Sequence, residues 1–63
     1  MTNFAEKLKV MREGVGWTRP KVVDRVGVPL RTLEEWEANR RTPPDYVQHL
    51  VLDQLALEIE KDR

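Results

Sequence analysis

Apolar residues recur along this chain at spacings of three and four, between short breaks that carry glycine and proline, and this pattern predicts helices. Phe4, Leu8 and Met11 share one face of a helix over residues 3–13, with Lys7, Lys9 and Arg12 mostly elsewhere on the cylinder. Thr2 or Asn3 can cap its start, and Gly14 or Gly16 can supply the left-handed residue at its end. Val22, Val23 and Val26 make the apolar face of a second helix over 18–26. Thr18 caps it, Pro20 sits in the first turn where a missing N–H costs little, and Gly27 ends it. A third helix over 29–38 takes Pro29 as its first position, turns Leu33 and Trp36 inward and stops at Asn39. Leu30, Arg31, Glu34, Glu35 and Ala38 are left largely outward. The fourth helix, over 43–60, has Thr42 as cap, Pro43 as first position and Asp45 returning a carboxylate toward the cap. Val47, Leu50, Val51 and Leu55 form its main stripe, with Tyr46 beside it. A second stripe runs through Leu52, Leu55, Ala56 and Ile59. No four-residue run alternates apolar and polar between turn signals, so no strand is expected.

The 63 residues make one small domain, and 40% hydrophobic content supports one core. A core of this size leaves roughly 3–5 kcal/mol of net stability. The expected fold class is an all-α bundle of four to five helices spanning 1–63. Without Cys there is no disulfide, thiolate zinc site or thiol nucleophile, and without Ser no serine nucleophile. No apolar run approaches the roughly 18–20 residues that span a bilayer. The expectation is a soluble, cytoplasmic domain with no cofactor and no enzymatic activity. Asp45, His49 and Asp53 recur every four residues and line up three metal-ligand types, but a solvated helix face explains them better, because no second element clearly converges on them.

Lys plus Arg and Asp plus Glu both number 11, so the net charge is zero. The balance is uneven: residues 1–41 carry +3 and residues 42–63 carry −3. A basic end of this kind can face a polyanion. The basic half also holds two short helices joined by Gly27-Val28, with Val28 and Leu33 placed to anchor the second on the first. That is the geometry of a helix-turn-helix, whose second helix can enter a DNA major groove.

The chain resembles the Cro and phage-repressor type of helix-turn-helix domain. The likeness rests on Gly16-Trp17-Thr18-Arg19, on Gly27-Val28-Pro29-Leu30-Arg31-Thr32-Leu33, and on Trp36-Glu37-Ala38-Asn39-Arg40-Arg41-Thr42-Pro43-Pro44. Arg19 stands where the family usually has Gln, Val23 where it has a small residue, and Asn39 where it has Gly. The resemblance covers roughly residues 4–52. It implies a lambda-repressor-like bundle that binds double-stranded DNA, usually to repress transcription. By position, it makes the helix from Pro29 to Ala38 the recognition helix, with Leu30, Arg31, Thr32 and Glu35, and also Glu34, toward the bases. Arg31 is the foremost candidate, since its fork can bind both acceptors of guanine. Thr18, Arg19, Lys21, Arg40 and Arg41 are the phosphate candidates. The resemblance also pairs Glu37 with Arg12.

Two further readings stay open. Leu52, Leu55, Ala56 and Ile59 can form a homodimer seam or a partner site, or pack against Phe4 and the first helix. Glu34 and Glu35 are repulsive toward phosphates. Together with the neutral total, they leave the alternative of a protein-interaction module that keeps the fold with weak or no DNA binding.

Overall fold

Among the described residues, three positions take left-handed backbone, and each follows a helix. In the computed structural model, which describes residues 3–62, Gly16, Gly27 and Asn39 have φ of 72°, 87° and 60°. Glycine lacks the Cβ that penalises this conformation, and Asn tolerates it best among the other residues. The elements are α1 (Phe4–Gly14), α2 (Arg19–Val26), α3 (Leu30–Glu37) and α4 (Asp45–Lys61), with no strand among the described residues. The all-α class therefore stands. Asn3 caps α1, its Oδ1 accepting from the Glu6 amide at 2.9 Å, and Thr18 caps α2, accepting from the Lys21 amide at 3.3 Å. Thr2, the other candidate cap, lies outside the described residues.

Two helix starts differ from expectation, and proline geometry explains the shift at α4. Pro29 is not the first helical residue but the cap position, with ψ of 141°; its carbonyl accepts from the Leu33 amide at 3.0 Å. α4 starts at Asp45 with Pro44 as cap, and Thr42 does not cap it. A residue that precedes proline is driven out of the α region, so Pro43 cannot be helical in front of Pro44. Instead the Pro43 carbonyl accepts from the Gln48 side-chain amide at 2.8 Å, which ties the incoming chain to the first turn.

The core is built from Phe4 and Leu8 of α1, Trp17, Val22 of α2, Leu33 and Trp36 of α3, and Val51 and Leu55 of α4. Phe4 and Trp36 meet edge to face, with ring centroids 5.5 Å apart. α3 and α4 each pack against both α1 and α2. They make no comparable contact with each other.

On α4 the two expected stripes merge into one. Val51 and Leu55 are buried, with Val47, Leu52 and Ile59 packed beside them. Leu50 is 64% exposed and Tyr46 68%, so neither belongs to the core face. Successive helical residues are rotated by about 100°, so a face centred on Val51 and Leu55 turns Leu50 away. Of the alternatives for Leu52, Leu55, Ala56 and Ile59, packing onto the core is the one seen for three of them. Leu55 is 0% exposed, Leu52 and Ile59 cover the core, and only Ala56 of the four is open.

The last turn of α4 is fastened to α2. Asp62 accepts from Arg25 at 2.7 Å and from Lys21 at 3.3 Å, and both cations lie over the Trp17 ring. A carboxylate at a helix C-terminus faces the negative end of the dipole. Here Arg25 first, and then Lys21, hold the Asp62 pKa below its ordinary 3.8. A depressed carboxylate pKa gives stability that is present above the ordinary value and lost as pH falls through the folded-state value. Asp62→Asn is therefore expected to melt slightly below the parent at neutral pH. The gap should close as pH falls below 3.8, as followed by circular dichroism.

Candidate nucleic-acid interface

The orientation of α3 is set by one buried carboxylate. Glu37, at the last turn of α3, has a side chain only 2% exposed. Arg12 of α1 meets it with both prongs of its guanidinium: Nε donates to Oε2 at 2.8 Å and Nη2 to Oε1 at 3.0 Å. Arg19 of α2 donates its Nε to Oε1 at 3.0 Å. Arg12 also donates Nη1 to the Trp17 carbonyl at 3.0 Å, while the Trp17 amide donates to the Arg12 carbonyl at 3.0 Å. One ion cluster thus joins α1, the α1–α2 loop, α2 and α3. No buried side-chain nitrogen or oxygen among the described residues lacks a partner. The pairing of Arg12 with Glu37 that the resemblance implied is present, with Arg19 as a third member.

With Leu33, Trp36 and Glu37 turned inward, the opposite side of α3 faces outward. Leu30, Arg31 and Glu34 are exposed, and Thr32 and Glu35 are half-buried. Arg31 and Arg40 have no carboxylate partner among the described residues. Arg41 meets Glu35 at 3.3 Å, so one expected base reader and one expected phosphate ligand pair with each other. Of the other phosphate candidates, Thr18 is committed to capping α2, Arg19 gives its Nε to Glu37, and Lys21 reaches Asp62.

Beside α3 lies a cleft of about 430 Å³, lined by Lys9, Arg19, Arg31 and Arg40 together with Glu34, Glu35, Glu37 and Ala38. It draws cationic side chains from three helices and the loop after α3 into one region. Sequence reasoning did not single out Lys9. The available signal was its position one turn before Arg12: residues three apart share a helix face, so pairing Arg12 with Glu37 carries Lys9 alongside α3. Asp45, His49 and Asp53 stay on the outside of α4, and no group of three His, Cys, Asp or Glu side chains suited to a metal occurs among the described residues. No helix among the described residues is long and apolar enough to cross a membrane. The chain matches no protein-family model, no curated protein and no solved structure.

Removing one partner of a buried ion pair leaves an uncompensated charge, at a cost of about 3–5 kcal/mol. Glu37→Ala is therefore expected to remove most of the stability of a domain this small. Arg12→Met with Glu37→Leu should cost well under the sum of Arg12→Met and Glu37→Leu measured singly. Urea denaturation of the four proteins gives the coupling.

Proposed function

We propose that this chain is a sequence-specific, double-stranded-DNA-binding transcriptional regulator, a repressor, that reads the major groove with α3. The observation that carries this reading is the outward edge of α3, where Leu30 and Arg31 are exposed and Arg31 is left without a carboxylate partner among the described residues. The tight Gly27 turn and the resemblance to Cro-type domains support it.

In this reading Arg31 donates to the two acceptors of a guanine, and Leu30 meets a thymine methyl group. Thr32 supplies a further hydroxyl to the base edges. Arg40 and Arg41, just past α3, hold phosphates and so fix the register. A phosphate at Arg41 competes with Glu35 for the same guanidinium. Released from that pair, Glu35 can accept from a cytosine amino group. Lys9 adds a cation from α1. The molecule measures 30 × 21 × 18 Å, about the length of one turn of duplex. Bound there, it would exclude other proteins from the same stretch, which is sufficient for repression.

One observation favours the protein-interaction reading: Arg19, Lys21 and Arg41, three of the five phosphate candidates, are engaged by internal carboxylates. Selection from a random duplex pool separates the two readings, because a module without DNA binding enriches no sequence. For a DNA binder, affinity for the selected site should fall steeply with salt. Arg40→Ala should weaken binding to all sequences alike and flatten the log–log salt slope by about 1. Arg31→Ala should cost about 1–3 kcal/mol on the selected site and relax preference at one base pair. Fluorescence anisotropy across a salt series measures all three, and undiminished sequence preference in Arg31→Ala would remove it as the reader.

A further inference from the structure

We propose that the outward face of α4 is a docking surface for a basic amphipathic helix of another protein. Three large apolar side chains on this helix point to solvent: Tyr46, Leu50 and Leu57. Their spacings of four and seven place them on one stripe, about 16 Å long. None of them contributes to the core, and the fold is complete without them. An apolar stripe at this spacing is what an amphipathic partner helix covers, reading i, i+4 and i+7 anchors.

Charge decides which helix fits. Asp53 lies in the stripe itself, at its i+7 position between Leu50 and Leu57, and Glu60 borders the stripe one turn further on. Both are exposed, and neither meets a basic side chain among the described residues. The carboxylates on the other flank of α4 are engaged: Glu58 by Arg25 and Lys61, and Asp62 by Arg25 and Lys21. The acids in and bordering the stripe are thus left for a partner, and they call for Lys or Arg among its apolar residues. The same acids disfavour the other occupants. A second copy laid antiparallel brings Asp53 close to its own counterpart, and a parallel copy aligns like acids. Anionic lipid and nucleic acid are repelled. α4 and α3 pack on α1 and α2 without substantial contact with each other, so a partner here leaves the α3 edge open. The proposal stands independently of DNA binding.

The test uses the full chain and a fluorescein-labelled helical peptide of about 18 residues, with leucines at i, i+4, i+7 and i+11 flanked by lysines. A matched peptide carries glutamate in place of each lysine. Anisotropy should show saturable binding of the lysine peptide, at least roughly tenfold tighter than that of the glutamate peptide. Leu50→Ala should weaken it roughly tenfold while leaving the helical circular dichroism unchanged, since Leu50 is outside the core. The double variant Asp53→Lys, Glu60→Lys should invert the preference in favour of the glutamate peptide. Absence of saturable binding, equal affinity for both peptides, or binding unaltered by Leu50→Ala overturns the proposal. So does sedimentation showing that the chain self-associates through this face, with Leu50→Ala returning it to monomer.

Discussion

The setting of α3 against α1 and α2 depends on the Glu37 carboxylate. A carboxylate taken out of water is tolerated only with opposite charge and hydrogen bonds close by. Glu37 finds both in Arg12 and Arg19, which arrive from different helices. The requirement fixes more than energy. A planar guanidinium that meets a carboxylate with two prongs accepts a narrow range of angles, and this pins the roll of α3 about its own axis. That roll decides which residues of α3 are buried and which face outward. An apolar contact at the same place would tolerate sliding and rotation.

The cluster also redistributes charge. Arg19 and Lys21 count toward the basic half of the sequence, yet the first neutralises Glu37 and the second reaches across to Asp62. Their charges stabilise the fold before they can serve a ligand. The cations without such ties, Arg31 and Arg40, lie with Lys9 around the cleft beside α3. Net charge read in blocks of sequence therefore overstates how much of the basic character is available to a polyanion, while the local arrangement concentrates what remains.

How much of this was legible in the sequence depends on the range of the interaction. Left-handed turns at Gly16, Gly27 and Asn39 are set by local sterics, and they lie where the residue types placed them. The Asn3 and Thr18 caps are equally local. α3 starts one residue later than expected, with Pro29 as its cap, and α4 two residues later, because Pro44 drives Pro43 in front of it out of the α region. The face of α4 failed for a different reason. With apolar residues at Val47, Leu50, Val51, Leu52, Leu55, Leu57 and Ile59, the helix is apolar over most of its circumference, and periodicity cannot choose among overlapping stripes. Only packing against α1 and α2 decides. The place of Lys9 at the cleft depends on α1 lying beside α3, a relation that no local pattern carries. The Arg12–Glu37 pair was legible from motif position, whereas the internal ties of Arg19, Lys21 and Arg41 to Glu37, Asp62 and Glu35 are tertiary facts.

The stacking of Lys21 and Arg25 on Trp17 has a practical side. The two cations that touch this indole also grip the end of α4. Any event that loosens that grip shifts positive charge relative to the ring and changes its emission. The second indole, Trp36, sits against Phe4 in the core on α3. The chain thus carries two intrinsic optical reporters, one tuned to the seating of its C-terminal helix and the other to the integrity of the interior, and replacing either with Phe would let the other be read alone.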